Sequence, residues 1–165
     1  MKIIFVTGPS FSGKSIYIRN ELPDTKVINI NVFNKVAEVA DNNDELEELG
    51  LNAYYYCREA LQNTIRASGE DDTIVLECQL LGKEDRSFFI KAVREVTDAP
   101  IELVLMWPEE EKIYKLLDGE QTLVNLHLFE KSMLEMPHME EGFSAISIIH
   151  PEFEDTDWNT LVRKS

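Results

Sequence analysis

An apolar run followed by a glycine-bounded loop opens the chain and restricts its fold more than any other feature. Residues 2–7 read Lys-Ile-Ile-Phe-Val-Thr, a near-continuous apolar run typical of a strand that is buried on both faces. The next eight residues, Gly8 to Ser15, fit the pattern G-x-x-x-x-G-K-[ST] at every fixed position. A buried strand followed by such a loop and then by a helix predicts a phosphate-binding loop.

The spacing of this loop has a physical reason. Successive backbone N–H groups must point inward around a phosphate, and the glycines allow the turn and the close approach of the backbone. The following helix adds its positive N-terminal end. Lys14 is then expected to reach the β- and γ-phosphate oxygens of ATP, and the Ser15 hydroxyl to coordinate Mg²⁺. The residues expected to bind the nucleoside triphosphate are Gly8, Pro9, Ser10, Phe11, Ser12, Gly13, Lys14 and Ser15.

Strand-like runs alternate with helical patterns along the rest of the chain. The predicted strands are residues 2–7, 27–30, 73–78, 101–107 and 144–149. The predicted helices are residues 13–21, 44–67 with Gly50 as a candidate break, 83–96, a helix opened by Pro108, residues 124–136, and a short helix near Trp158. This alternation predicts a single α/β domain over residues 1–165, a three-layer α/β/α sandwich with a mainly parallel five-stranded sheet and a P-loop NTPase fold.

Charge and cysteine content restrict the partners of the chain. Sixteen Lys and Arg residues against 31 Asp and Glu residues leave a formal charge of −15, which repels nucleic acids and anionic membranes at long range. A nucleic-acid acceptor would need a local basic cleft. Cys57 and Cys78 lie in apolar surroundings and are predicted to be buried free thiols. No apolar stretch has the length of a signal peptide or a membrane span, which favours a cytoplasmic protein.

The signatures of small GTPases are missing from the sequence. No glycine has an Asp three residues before it, so the D-x-x-G pattern is absent. The segment Asn34-Lys35-Val36-Ala37 begins like N-K-x-D but lacks the Asp. Motors and helicases are normally longer than this chain. A compact kinase is therefore the favoured class, with ATP and Mg²⁺ as cofactors.

Further segments follow the loop in a recognisable order. They are Val27-Ile28-Asn29-Ile30-Asn31, Thr73 to Leu80 with Glu77 at the end of its strand, Lys83-Glu84-Asp85-Arg86, Ile101 to Pro108, Met136-Pro137 and Glu141-Gly142-Phe143. Together with the P-loop, this order resembles the polynucleotide 5′-kinase-like branch of P-loop kinases over most of residues 1–150. The resemblance implies transfer of the γ-phosphate to a hydroxyl, with a nucleotide or polynucleotide 5′-hydroxyl as the acceptor. It also implies a lid over residues 109–125. The sequence itself shows an acidic tail at 151–165.

The sequence departs from that family in two features. Phe33 stands where the family has its general-base Asp, and Phe cannot accept a proton. The lid carries Lys112 and Lys115 and no arginine between residues 112 and 119. It therefore supplies positive charge but no guanidinium group that could bind a phosphate through two parallel hydrogen bonds. Lys115 is the lid residue expected to act in catalysis. Two interpretations follow, an active kinase with an altered mechanism or a nucleotide-binding regulatory protein without transferase activity.

Three further polar residues are candidates for the site. Glu77 ends a predicted central strand, where it could hold Mg²⁺, serve as the missing base, or be an ordinary strand-end residue that faces solvent or forms an ion pair. Gln79 could orient a ligand or be an ordinary loop residue. Arg86 is expected either to contact the acceptor or a phosphate, or to form a surface ion pair with Asp85 or Glu84.

Overall fold

A five-stranded sheet with helices on both faces forms the core of the molecule. The computed structural model describes residues 1–32, 43–117 and 120–152, and for residues 43–52 it describes the backbone alone. The strands in these ranges are β1 (Lys2–Thr7), β2 (Lys26–Asn29), β3 (Thr73–Glu77), β4 (Ile101–Met106) and β5 (Ala145–Ile149). The helices are α1 (Lys14–Glu21), α2 (Asn43–Arg66), α3 (Lys83–Arg94), α4 (Glu110–Leu116) and α5 (Gln121–Ser132), with a 3-10 turn at Met139–Glu141.

The strand order is β2-β3-β1-β4-β5, and every pair is parallel. This arrangement confirms the predicted α/β fold with a parallel five-stranded sheet. β1 lies at the centre, which explains why its sequence is apolar at successive positions rather than at alternating ones. The carboxyl ends of β1, β2 and β3 meet at one edge of the sheet, so the segments that follow them lie together.

Two apolar clusters cover the two faces of the sheet. On one face, Ile3 and Phe5 of β1 pack with residues of α2 and α3, among them Leu61 and Phe89. On the other face, alternate residues of β1, β3 and β4 pack with Ile18 of α1. Full burial of one such side chain stabilises the fold by about 1.5–3 kcal/mol. Cys57 and Cys78 are both buried and unbridged, as predicted.

Helix bounds differ from the sequence predictions at several places. α2 runs through Gly50 without a break, since one glycine costs about 1 kcal/mol in a helix and burial of the α2 side chains outweighs that. The helix expected to open at Pro108 begins at Glu110, because Glu109 is extended, at φ −63° and ψ 138°. The helix predicted over 124–136 is Gln121–Ser132.

The early end of α5 has a visible cause. The N–H of Glu135 donates to the carbonyl of Leu81 at 2.9 Å, in the loop after β3, instead of continuing the helical ladder. The short helix predicted near Trp158 and most of the predicted acidic tail lie outside the described residues. No helix in the described part of the chain combines the length and the apolarity that a bilayer crossing needs.

Candidate nucleotide-binding site

The P-loop joins the central strand to α1 in a conformation that needs glycine at its first position. Gly8 has φ +136°, and a Cβ atom there would lie 2.5 Å from the carbonyl oxygen of Met106. Its N–H donates to the carbonyl of Gln79 at 3.1 Å, which ties the loop to the segment after β3. Gly13, at φ +86°, is the left-handed residue from which α1 starts. The predicted strand–loop–helix context of the motif is therefore present.

Lys14 folds back across the mouth of the loop. Its ammonium group donates to the carbonyl oxygens of Gly8 and Pro9, at 2.9 and 2.8 Å. Burial lowers the pKa of Lys14, and the negative charges of Glu77 and Glu130 oppose that shift. The Lys14 ammonium therefore lies within the electrostatic influence of two carboxylates, in the part of the loop where the motif predicts phosphate contacts.

Glu77 contacts Ser15 directly at the sheet edge. The Ser15 hydroxyl donates to Oε1 of Glu77, and the Asn29 amide donates to Oε2 at 2.8 Å. Asn29 and Glu77 are partners in the parallel register of β2 and β3, so the sheet itself aligns them. Glu77 is only 5% exposed. A hydroxyl and a carboxylate are hard oxygen ligands of the type that Mg²⁺ prefers, so this pair fits the predicted metal site.

Helix α5 supplies a carboxylate that the sequence analysis missed. Glu130 accepts the backbone N–H of Ser10 at 2.6 Å and the Ser10 hydroxyl at 3.0 Å. Gln79 donates to Glu130 and to the Ser10 hydroxyl, at 3.0 Å each. Gln79 therefore contacts the P-loop through Ser10, and its role in orienting a ligand stays a prediction. Ser10 and Glu130 are separated by 120 residues in sequence.

His127 holds the other side of the same peptide. Its Nδ1 donates to the Ser10 carbonyl at 2.9 Å, and the ring is 1% exposed. Its Nε2 is buried without a hydrogen-bond partner among the described residues. Burial lowers the pKa of His127, so the ring is neutral near pH 7. In the sequence, the feature that could have identified these two residues is the three-residue spacing of His127 and Glu130, which places both on one face of a predicted helix.

The predicted lid packs on the P-loop through apolar contacts. Phe11 is buried against Ile113 and Leu117 of the α4 segment and Val124 of α5. The Phe11 side chain therefore packs against the lid helices. Its predicted nucleotide contact concerns the backbone N–H, which is separate from this packing.

The two lid lysines lie away from this contact. Lys112 forms an ion pair with Glu152 at 3.7 Å. Lys115 is exposed on α4, and no contact in the described part of the chain joins it to the P-loop. The catalytic role of Lys115 stays a prediction. Phe33, which the resemblance places at the position of the general base, lies outside the described residues.

Arg86 corrects a sequence expectation. It is fully buried rather than exposed, and its partner is Glu141, not Asp85 or Glu84. Its Nε and one terminal nitrogen donate to the two oxygens of Glu141 at 2.8 and 3.0 Å. The other terminal nitrogen donates to the carbonyls of Leu80 and Leu81. Arg86 therefore holds the loop after β3 and is too deep to contact an acceptor.

Comparison with solved structures shows that several kinases share this fold. A candidate kinase from Chloroflexus aurantiacus superposes with a TM-score of 0.67 at 11% identity, over 99% of this chain and 94% of that chain. A gluconokinase from Sinorhizobium meliloti gives 0.58 at 16% identity, over 99% and 93%. Kti12 from Chaetomium thermophilum, solved with ADP-AlF3, gives 0.55 at 14% identity, over 98% and 96%. No protein-family model and no curated protein sequence matches the chain.

Proposed function

We propose that this protein is an ATP-dependent kinase that transfers the γ-phosphate to a hydroxyl group. The observation that carries the proposal is the complete P-loop whose Ser15 contacts the strand-end carboxylate of Glu77. The kinase fold of the neighbouring structures supports the same reaction class. The acceptor oxygen gains its bond to phosphorus as the bond to the ADP oxygen breaks, and its proton passes to solvent or to the new phosphate group.

The residues of the chain act mainly by position and charge. Backbone N–H groups of the P-loop and the Lys14 ammonium bind the β- and γ-phosphate oxygens. Ser15 and Glu77 are the residues that would hold Mg²⁺, and the bound ion would neutralise the negative charge of the phosphates. Glu77 fits this role better than that of a base, because both of its oxygens already accept hydrogen bonds from Ser15 and Asn29. Lys115 is the lid cation that we expect to approach the transferring group when the lid closes.

We expect a small hydroxyl compound as the acceptor. The charge of −15 opposes a long polyanion, and a gluconokinase stands among the structures that share the fold. The resemblance to polynucleotide 5′-kinases supports a nucleotide or nucleic-acid 5′-hydroxyl instead. Salt dependence separates the two, because binding of a polyanion weakens steeply as salt rises, whereas binding of a small uncharged acceptor does not.

The second candidate function is a regulatory nucleotide-binding protein without transferase activity. Phe33 at the position of the family's general base and a lid without arginine between residues 112 and 119 favour it. The protein would then bind ATP and phosphorylate no acceptor.

The test compares nucleotide binding with transfer. ATP binding with Mg²⁺ is measured by calorimetry, and labelled ATP is then offered with sugars, nucleosides and 5′-hydroxyl oligonucleotides. Lys14→Ala should weaken ATP binding roughly tenfold to a hundredfold, since it removes charge-assisted hydrogen bonds worth about 1.5–3 kcal/mol. Lys91→Ala on the exposed face of α3 is the matched control and should behave as wild type.

Three outcomes separate the functions. Lys14-dependent transfer to one acceptor class establishes the kinase and its substrate. Lys14-dependent binding with no transfer to any acceptor supports the regulatory protein. Equal ATP affinity in wild type and Lys14→Ala refutes nucleotide binding at the P-loop, and both functions with it.

A further inference from the structure

Glu130 occupies donors of the P-loop that are expected to bind phosphate. Its two oxygens accept the backbone N–H and the hydroxyl of Ser10. The backbone N–H groups of such a loop are the groups that bind phosphate oxygens. A carboxylate and a phosphate group therefore compete for the same donors. Glu130 is about nine-tenths buried, so its charge is little screened by water.

The position of Lys14 relates Ser10 to the outer phosphates of a bound nucleotide. The Lys14 ammonium lies against the carbonyls of Gly8 and Pro9, in the first half of the loop and next to Ser10. In P-loops this lysine contacts the β- and γ-phosphates. Ser15, at the far end of the loop, points to Glu77 instead. Ser10 and Glu130 therefore lie beside the lysine that is expected to bind the outer phosphates, at the opposite end of the loop from Ser15.

The contact between α5 and the loop does not depend on Glu130 alone. His127 donates to the Ser10 carbonyl, and Phe11 packs among apolar residues of α4 and α5. The helix can thus stay near the loop when the Glu130 carboxylate moves away. Gln79 donates to Ser10 as well as to Glu130, so the Ser10 hydroxyl keeps a partner.

We propose that Glu130 sets the preference of this site between nucleoside diphosphates and triphosphates. A diphosphate binds beside the carboxylate, whereas a triphosphate binds only when Glu130 leaves Ser10. The γ-phosphate otherwise meets a negative charge and finds its donors taken. The inference rests on the proposed nucleotide binding and adds a residue that discriminates between substrate and product of the reaction.

The experiment measures affinity for Mg·ATP and Mg·ADP by calorimetry in the full chain. Glu130→Gln removes the charge, and the ratio of ATP to ADP affinity should rise about tenfold, which corresponds to about 1.4 kcal/mol. Glu59→Gln, an exposed carboxylate on α2 with the same change in charge, should leave the ratio unchanged.

A second variant covers the case in which Glu130→Gln does not fold. Glu130→Asp keeps the charge but is one methylene shorter, so it should release the Ser10 N–H and raise the ratio by a smaller factor. Thermal unfolding shows which variants are folded. A ratio within about twofold of wild type in the folded variants overturns the inference.

Lys14→Ala separates failure of the inference from failure of the proposed function. If ADP binding depends on Lys14 but the ratio does not respond to Glu130, the inference alone is wrong. If ADP affinity is the same with and without Lys14, the nucleotide does not bind at the P-loop and both proposals fall.

Discussion

Replacing Glu141 by Gln removes the counter-ion of a buried arginine. The Arg86 side chain is 1% exposed and that of Glu141 is 5% exposed, with two hydrogen bonds between them. Burial by itself would raise the pKa of Glu141, but the hydrogen bonds from Arg86 and from the His138 N–H outweigh it and lower that pKa. Glutamine keeps the shape and one acceptor oxygen. The variant therefore leaves the Arg86 charge buried without its counter-ion.

The size of the effect follows from this geometry. Loss of one partner from a buried pair typically costs about 3–5 kcal/mol. A domain of this kind is stable by about 5–15 kcal/mol, so Glu141→Gln should remove a large share of its stability. The unfolding midpoint should fall by roughly 6–20 °C, taking about 2–4 °C for each kcal/mol. The double variant Arg86→Met with Glu141→Leu buries no charge and should lose less than the sum of the single variants.

Urea unfolding followed by circular dichroism measures the free energy of unfolding for each variant. Glu140→Gln, on the exposed side of the same 3-10 turn, is the matched control and should change the free energy by less than about 0.5 kcal/mol. If Glu141→Gln costs less than about 1 kcal/mol, or if the double variant loses the full sum, the charges are not the source of the stability. Arg86 would then act only through its packing and its bonds to the loop carbonyls.

Two other predictions concern the site. Glu77→Gln should raise the Mg²⁺ concentration needed for tight ATP binding roughly tenfold or more, and it should leave ADP binding without metal unchanged. Calorimetry over a series of Mg²⁺ concentrations measures this. If wild type and variant need the same Mg²⁺ concentration, Glu77 does not hold the metal. For His127 the pKa is lowered, so the neutral ring contributes stability above its unfolded pKa of about 6.5, and that contribution is lost as pH falls through the lower folded pKa. Wild type should therefore lose more stability than His127→Gln between neutral and mildly acidic pH. If the urea unfolding midpoint shifts equally in the two proteins, His127 is not the source of the pH dependence.

The fold could be predicted because its signals are local. The apolar run of β1, the glycines of the P-loop and the later β-rich runs each identify an element without knowledge of the rest of the chain. Glu77 could also be placed, because the end of a parallel strand beside the P-loop strand is where ligands of such sheets bind. Its contact with Ser15 agrees with that reasoning.

What could not be predicted depends on contacts distant in sequence. Arg86 reads as a surface residue at the start of an amphipathic helix, and nothing near it in sequence identifies Glu141 as its partner. Glu130 looks like an exposed charge on α5, since only the docking of that helix on the P-loop brings it to Ser10. The end of α5 was misplaced for the same reason, because the Leu81 carbonyl that takes the Glu135 N–H lies far back in the chain.

The central place of β1 has a consequence for synthesis of the chain on the ribosome. β1 pairs with β3 on one side and β4 on the other, and both are translated well after it. Until β4 emerges, an apolar strand has at least one unpaired edge, which is a site for association with other chains. Shortened chains that end before Ile101 should therefore aggregate or bind chaperones, and the P-loop that follows β1 is assembled only after most of the domain has been made.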